Sequence, residues 1–193
     1  MTIEICGPGS WQAQTDALNL LATGRGSLAF LLGDEHSRFR LFSGRINWDR
    51  VLLARQDDRT VGFLAFQWVG EGPYSPKLAD FMREFGPVSG FFRCMANHVL
   101  EWRNRRQGFY VYGLKIIPEA RRSGIASALL AAAECHARTL NANSVELEVY
   151  DTNTGALAFY RAHGYEVQGV CRLGIFIRWL KFSAVLRLAK SLG

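Results

Sequence analysis

The residues best suited to chemistry form one short turn, Arg121-Arg122-Ser123-Gly124-Ile125-Ala126. The turn follows a buried apolar run that ends at Pro118, and it precedes a predicted helix. The first turn of a helix has unpaired N–H groups and a partial positive charge, so it binds anions well. Gly124 and Ala126 let a bulky phosphate approach the backbone, and the two arginines add positive charge. The segment therefore predicts a site for a pyrophosphate group.

Three nucleotide-type motifs compete for this assignment. A P-loop requires G-x-x-x-x-G-K-[ST], and a dinucleotide-binding turn requires G-x-G-x-x-G; neither pattern occurs in the sequence. The pyrophosphate loop of CoA-binding enzymes requires [R/Q]-x-x-G-x-[G/A] after a strand, and residues 121–126 fit it. On this short pattern alone, an ordinary strand-to-helix turn stays open.

A second segment, Leu147-Glu-Val-Tyr-Asp-Thr-Asn153-Thr-Gly-Ala-Leu-Ala-Phe-Tyr160-Arg-Ala-His-Gly-Tyr165, makes the resemblance specific. Together the two segments resemble the GNAT superfamily of N-acetyltransferases, with a strand, the R-x-x-G-x-A loop and then L-E-V-x-x-x-N-x-x-A-x-x-F-Y-x-x-x-G-Y. The closest patterns are those of ribosomal-protein and other protein N-terminal acetyltransferases. The resemblance covers roughly residues 110–170, and the N-terminal half matches in element order only.

The resemblance implies acetyl-CoA as co-substrate, no metal, and a role for each matching residue. The cofactor-binding residues are expected to be Leu114, Lys115, Ile116, Arg121, Arg122, Ser123, Gly124, Ile125, Ala126, Ser127, Asn153, Phe159 and Tyr160. The first three fall where the family's strand splays and offers backbone groups to the pantetheine and acetyl carbonyl. Tyr160 falls on the family's general acid beside the CoA sulfur, and Glu148 falls where ribosomal-protein members place a general base.

Several of these residues also have plain structural interpretations. Asn153 is a good N-cap for the helix that follows it, and this does not exclude a second role. Tyr160 could be an ordinary half-buried aromatic. Glu148 alternates with apolar neighbours, so it lies on the other sheet face and could simply be solvated. His163 suits a helix end, where a cation is favoured, and His136 is expected to be packed.

The elements that position these residues follow an alternating pattern. Strand, helix, strand, helix and strand are predicted at Phe109–Ile117, Ser123–Leu140, Ser144–Tyr150, Asn153–His163 and Tyr165–Val170. Upstream, a strand at residues 2–6, helices at 10–22 and 27–32, and a hairpin at 51–68 are expected. We therefore expect one domain, 1–193, of the α/β (α+β) class: a GNAT-type mixed, mostly antiparallel central sheet with helices on both faces. Its CoA-binding core spans about 109–170.

Residues 70–108 form a predicted helical insert that is not part of the common pattern. A helix start is expected at Ser75-Pro76 and a break at Gly86-Pro87. Apolar residues then recur at helical spacing as a predicted core stripe: Phe91, Phe92, Met95, Val99, Leu100 and Trp102. The alternative is that part of the insert roofs a substrate pocket.

The C-terminal region has two interpretations. We expect a last strand near Ala184–Lys190 preceded by a loop at 171–183, as in the family. A helix over 183–192 stays open, because its polar residues share one face. The basic C-terminus also leaves peripheral membrane contact open, while no apolar stretch is long and uninterrupted enough to span a bilayer.

Composition restricts the remaining classes. The 193 residues are 49% hydrophobic and 21% charged, which is typical of a soluble globular protein, and no secretory signal is visible, so a cytoplasmic location is expected. The net charge of +6 fits a phosphate-rich ligand. A nucleic-acid partner is disfavoured because the basic residues are scattered and no aromatic-basic platform is visible. The four cysteines are expected to be reduced structural thiols.

Two function classes remain in competition at this point. The leading one is N-acetylation of a primary amine by direct transfer from acetyl-CoA in a ternary complex. The alternative is a non-catalytic acyl-CoA-binding sensor or scaffold, against which Glu148 and Tyr160 both argue. The acceptor stays open among protein N-termini, lysine side chains, polyamines and aminoglycoside-like amines, as do the acyl length and a homodimeric state.

Overall fold

The computed structural model describes residues 3–6, 11–24, 28–57, 59–103, 108–172 and 184–193. Its strands are β1 Ile3–Cys6, β2 Val51–Gln56, β3 Arg59–Gln67, β4 Phe109–Ile116, β5 Ser144–Tyr150, β6 Glu166–Arg172 and β7 Ala184–Ser191. Its helices are α1 Trp11–Thr23, α2 Ala29–Leu32, α3 Glu35–Phe42, α4 Leu78–Phe85, α5 Pro87–Arg103, α6 Ile125–Thr139 and α7 Thr154–Ala162.

The described strands form one sheet in the order β1-β2-β3-β4-β5-β7-β6. Every neighbouring pair is antiparallel except β4 and β5, which run parallel. The last strand, β7, lies between β5 and β6, so it is an inner strand of the sheet and not an edge strand. The predicted fold class, a mixed and mostly antiparallel sheet with helices on both faces, is confirmed.

Each face of the sheet has its own core. Helix α6 covers one face, where its buried Ile125 and Leu129 pack with Val111 of β4, Leu147 of β5 and Tyr160 of α7. On the opposite face, α1 packs against β2 and β3. A further core joins α1 to α2, α3, α4 and α5. The sheet is thus a partition with α6 and α7 on one side and the insert helices on the other.

The insert forms two helices whose boundaries differ from the prediction. Helix α4 begins at Leu78 rather than at Pro76, because the Lys77 backbone is extended and the Asp80 side chain accepts a hydrogen bond from the Lys77 N–H at 2.9 Å. The predicted break at Gly86-Pro87 is not a longer linker between the two helices, because Pro87 is the first residue of α5. A Cβ on Gly90 would lie 2.4 Å from the carbonyl oxygen of Phe81, so α5 packs directly against the α4 backbone.

The predicted core stripe of α5 is wrong except at Leu100, which packs against the core that joins α1 to the insert helices. Phe92, Val99 and Trp102 are 66%, 61% and 72% exposed, and Phe91 and Met95 are also exposed. Two residues that the stripe left out are buried instead: Cys94, in the core under α5, and Asn97. Helical periodicity identified the apolar face of α5 correctly, but most of this face is exposed to solvent and not packed in the core.

Some of the other predictions about the fold are confirmed and others are wrong. Strand β7 confirms the expected last strand, and the alternative helix over 183–192 is wrong. Strand β4 is fully buried at Phe109 and Val111 but only half-buried at its centre, so it is not the doubly covered strand that its apolar sequence suggested. Helix α3 was not predicted. Most of the expected loop at 171–183 lies outside the described residues, and β6 continues through Arg172.

Candidate active site

The predicted pyrophosphate turn has the backbone geometry of an anion site. Gly124 is the N-cap of α6 with φ of +82°, a left-handed conformation that favours glycine, and no atom lies within 4 Å of a Cβ built there. The first hydrogen bond into the helix runs from the Ala128 N–H to the Gly124 carbonyl at 3.0 Å. The amides before Ala128 therefore project from the helix end toward open space.

Neighbouring contacts hold this turn in shape. The Arg121 Nε–H donates to the Ile116 carbonyl at 3.3 Å, and the Ser123 hydroxyl donates to the Ala120 carbonyl at 2.6 Å. Arg122 takes a left-handed φ of +61°. Both arginines and Gly124 are exposed. The turn thus combines a rigid backbone, an open approach and positive charge, which is the set of properties that binding a phosphate requires.

Strands β4 and β5 pair over only three positions and then part. The last pair is Val111 with Leu147, yet β4 continues to Ile116 and β5 to Tyr150. The separation begins at a bulge in β4, where Val111 pairs with Phe66 and Gly113 with Ala65, so Tyr112 is the extra residue. Bulges bend a strand and interrupt its pairing. The result is an open wedge between the two central strands.

The predicted residues Leu114, Lys115 and Ile116 form the β4 side of this wedge. Each pairs with β3 on one side and has no strand partner in β5 on the other. The Lys115 side chain turns away from the wedge and donates to the Thr23 hydroxyl of α1. Desolvation by burial lowers the pKa of the Lys115 ammonium. What Lys115 offers the wedge is therefore its backbone rather than its charge.

Helix α7 contacts the first turn of α6 through His163, at its C-terminal end. The Asn153 side chain accepts from the Ala156 N–H at 3.1 Å, so the structural role proposed for it as an N-cap is confirmed. Its further role at the cofactor stays a prediction. At the other end of α7, the His163 ring bonds the Phe159 carbonyl at 2.8 Å and the Ser127 hydroxyl at 2.9 Å. His163 thus links α7 to the predicted pyrophosphate turn.

Tyr160 lies in the core on this same face. Its side chain is buried, its ring packs edge-on against Phe159 and Tyr165, and burial raises the pKa of its phenol to about 12. Tyr165 in turn donates to Glu134 of α6 at 3.2 Å, and the Lys190 ammonium donates to the same carboxylate at 2.7 Å. Tyr160 is therefore a fixed, fully protonated phenol at neutral pH.

Glu148 lies on the opposite face of the sheet. Its neighbours Leu147 and Val149 point into the α6 core, so its own side chain, which is exposed, points toward the side of the insert helices. It directly follows Leu147, the last residue of β5 that pairs with β4, and so lies at the mouth of the wedge. The two residues proposed for catalysis, Tyr160 and Glu148, thus lie on opposite faces of the sheet, and their roles stay predictions.

A cavity of about 840 Å³ opens on the Glu148 side of the sheet. It lies between α5, the segment 70–78 and the bulged Tyr112 of β4. The segment 70–78 is anchored to the turn that follows α3, because the Ser75 N–H donates to the Arg45 carbonyl at 2.9 Å. The Arg45 guanidinium in turn donates to the Asp80 carboxylate of α4 at 2.6 Å. Part of the insert therefore lines a pocket beside the wedge; that this pocket takes a substrate stays a prediction.

Sequence reasoning missed the polar residues of this cavity. Glu101 accepts from the Tyr112 hydroxyl at 2.6 Å, and Asn97 is buried with its Oδ1 lacking a hydrogen-bond partner. Neither residue lies in a recognisable motif. The one signal available was their spacing of four residues, which puts both on one face of a helix.

Neither a metal-ligand cluster nor a membrane-spanning helix occurs in the described ranges. No cluster of three or more His, Cys, Asp or Glu side chains there is arranged to hold a metal ion. In that same part of the chain, no helix combines the length and the apolar character needed to traverse a lipid bilayer.

Comparison with known proteins gives a family match and a common fold. The sequence model of the Acetyltransferase (GNAT) family matches residues 27–165. The ribosomal-protein-S18-alanine N-acetyltransferase from Escherichia coli superposes with a TM-score of 0.56 at 12% identity, covering 100% of this chain and 95% of its own. A GNAT-family acetyltransferase from Streptococcus pneumoniae gives 0.59 at 17% identity, with 100% of both chains covered.

A chain of the NatC complex bound to Gag peptide and CoA gives a TM-score of 0.60 at 15% identity, again with 100% of both chains covered. At identities this low, the structural likeness shows the fold alone. The sequence has no significant match among curated proteins.

We expect Gly124→Glu to abolish acetyl-CoA binding, measured by isothermal titration calorimetry. The new side chain would enter the open space at the turn and bring a negative charge to the predicted diphosphate position. Gly44→Glu is the matched control, because Gly44 also has a positive φ, +68°, and open space at its Cβ. An unchanged affinity in a folded Gly124→Glu protein would show that the diphosphate binds elsewhere.

Proposed function

Because the chain belongs to the acetyltransferase (GNAT) family, we propose that it moves an acetyl group from acetyl-CoA directly to a primary amine while both substrates are bound. The observation that carries this proposal is the open wedge between β4 and β5. One edge of the wedge is β4 backbone without a β5 partner, and the exposed amides of the α6 turn follow β4 in the chain. A CoA thioester needs both: an anion site for its diphosphate and polar backbone for its amide-rich arm.

The reaction forms one bond and breaks another. The amine nitrogen attacks the thioester carbonyl, the new N–C bond forms, and the C–S bond breaks as the sulfur leaves with its electron pair. In the tetrahedral intermediate the carbonyl oxygen carries negative charge, which a fixed backbone N–H of β4 in the wedge would stabilise. The nitrogen loses a proton to a base, and the departing sulfur gains one from an acid.

Tyr160 is the acid in this proposal. Its buried phenol has a pKa raised to about 12, so it carries its proton throughout the neutral range. It lies on the α6 face, one turn of α7 before His163, which bonds Ser127 of the pyrophosphate turn. A phenol held there carries its proton at working pH and can give it to the leaving thiolate, after which the phenolate takes up a proton from solvent.

Glu148 is the proposed base on the other face. It lies at the mouth of the wedge, on the face of the sheet where the cavity opens. Direct contact is unnecessary, since one bridging water can relay the proton.

Direct transfer is supported over a covalent acyl-cysteine route by the state of Cys94. This is the cysteine that lines the cavity, and burial raises the pKa of its thiol. A nucleophilic cysteine requires the thiolate, which such an environment disfavours. The other free cysteines of the described chain, Cys135 and Cys171, are exposed on α6 and β6.

Tyr160→Phe is expected to lower kcat by about 10- to 100-fold, the range for loss of a general acid, with little change in KM for acetyl-CoA. Because the phenol pKa is raised to about 12, the defect should be constant from about pH 6 to pH 10. Release of CoA and acetylated amine, measured together over an amine panel, gives these rates.

Tyr165→Phe is the control for a loosened core, because it removes the hydrogen bond to Glu134 on the same face. It should lower thermal stability and leave kcat nearly unchanged. A Tyr160→Phe enzyme that turns over within about twofold of the parent would reduce Tyr160 to a packing residue.

Glu148→Gln is expected to reduce kcat/KM more at pH 7 than at pH 9. The reason is that a larger share of the free amine is already deprotonated at the higher pH, so the base matters less. Glu146→Gln is the matched control, since Glu146 lies two residues earlier on the same face, opposite Tyr110 where the strands still pair. If both variants keep the parent pH profile, the base is another group.

A further inference from the structure

Helix α5 exposes an apolar face along most of its length. We call this face the α5 surface, and its members are Val88, Phe91, Phe92, Met95, Val99 and Trp102. Their spacing of three or four residues places them on one side of the helix. The two charged residues of the range 87–102, Arg93 and Glu101, are half-buried and lie outside this surface. Within the same range, the exposed polar residues are Ser89 and His98.

The other side of α5 is fixed to the rest of the chain. Gly90 lies directly against the α4 backbone, and the Arg93 guanidinium donates to two carbonyls of α2 at 3.0 and 2.9 Å. Nearer the end of the helix, the Glu101 carboxylate accepts from the Tyr112 hydroxyl of β4 at 2.6 Å. Because these contacts are spread along the helix, α5 cannot turn about its axis to bury the α5 surface without breaking them.

The α5 surface has the area of one side of a dimer interface. Its members are 40–72% exposed. Taking about 150–250 Å² for a complete aromatic side chain, they present on the order of 600 Å² of apolar area. The largest apolar patch of an ordinary monomer reaches about 300–600 Å². One side of a standard interface is about 800 Å², of which about 60% is apolar, so the α5 surface supplies the apolar area that such an interface needs.

The α5 surface can also fit against itself. Two copies related by a two-fold axis present the same surface to each other. Met95 lies midway along the α5 surface, between Val88 at one end and Trp102 at the other. If two α5 helices run antiparallel and cross at Met95, the Val88 end of each helix meets the Trp102 end of the other. A small side chain then lies opposite a large one at both ends, and no charged member of the surface faces its own copy.

A lipid surface is the other environment that accepts an exposed apolar helix face. A helix that lies on a membrane combines such a face with a polar face rich in Lys and Arg. In the range 87–102 the one residue of this kind is Arg93, and its guanidinium is bound to carbonyls of α2. The charge pattern of α5 therefore favours a protein partner, and the fit of the surface to itself favours a second copy of this chain.

We propose that the α5 surface is the interface of a homodimer, in which a second copy of this chain packs its own α5 antiparallel across the first at Met95. This inference goes beyond acetyl transfer and does not depend on it. Three members of the surface, Met95, Val99 and Trp102, also line the cavity. The partner copy would therefore lie at the outer rim of the cavity.

Sedimentation velocity of the full chain tests the dimer. We expect a dimer with a Kd in the micromolar range or tighter, as for other interfaces of standard size. A parent chain that stays monomeric up to about 100 µM would overturn the proposal. If that monomer then co-sediments with phosphatidylcholine vesicles, the α5 surface belongs to a lipid surface instead.

Charge variants at Met95 locate the interface. Met95→Glu and Met95→Lys each bring two like charges together at the proposed axis, so each should weaken the dimer at least about 30-fold. An equimolar mixture of the two should dimerise again, because opposite charges then meet, and this recovery also excludes misfolding. Val170→Glu is the matched control, since Val170 is an exposed apolar residue on β6, and it should leave the dimer unchanged.

Two results would contradict the assignment of the interface. One is a Met95→Glu chain that dimerises as tightly as the parent, above all if Val170→Glu dissociates the dimer instead. The other is a mixture of the two Met95 variants that stays monomeric, since the helices would then not cross at Met95.

Discussion

The early end of the pairing between β4 and β5 is the constraint on which the rest of the site depends. Two parallel strands in the middle of a sheet would normally satisfy each other along their whole length. Here the bulge at Tyr112 turns β4 away after three pairs, while β5 keeps its full antiparallel pairing with β7. Backbone groups in the centre of the sheet are thereby left without a strand partner, and any ligand that fills the gap must supply hydrogen bonds in its place.

The sheet then separates the chemistry into two sides. Beyond the end of β4, the turn with Gly124 presents free amides, and helix α7 carries a protonated Tyr160 in the core between α6 and the sheet. On the opposite face, α5 and the segment 70–78 line a cavity beside Tyr112 of β4. A thioester in the wedge would be reached by an amine from one face and by an acid from the other.

The sequence predicted the parts of this arrangement that depend on local backbone geometry. The R-x-x-G-x-A turn is readable because its glycine must take a positive φ and leave space at its Cβ, as Gly124 does. Asn153 could be predicted as a helix cap because its side chain accepts a hydrogen bond from a backbone N–H in the first turn of the helix. The fold class and the last strand were also predictable, since alternation and element order are local signals. The role of Glu148 and Tyr160 in catalysis remains a prediction from the family pattern.

What could not be predicted depends on which surfaces meet in three dimensions. The apolar residues of α5 have the spacing of a core helix, yet Val99 and Trp102 line an open cavity, because α5 reaches the core through Cys94 and Leu100 instead. Asn97 and Glu101 belong to no motif, and their proximity to Tyr112 arises only when α5 lies over the bulge. Boundaries at Leu78 and Pro87 likewise followed tertiary contacts.

The most direct test of the wedge as the reaction centre is a crystal structure of the full chain with acetyl-CoA. We expect the diphosphate at the amides that precede Ala128, the thioester carbonyl between β4 and β5, and the sulfur within hydrogen-bonding reach of the Tyr160 hydroxyl. A thioester bound outside the wedge, or a diphosphate away from the α6 turn, would contradict this account.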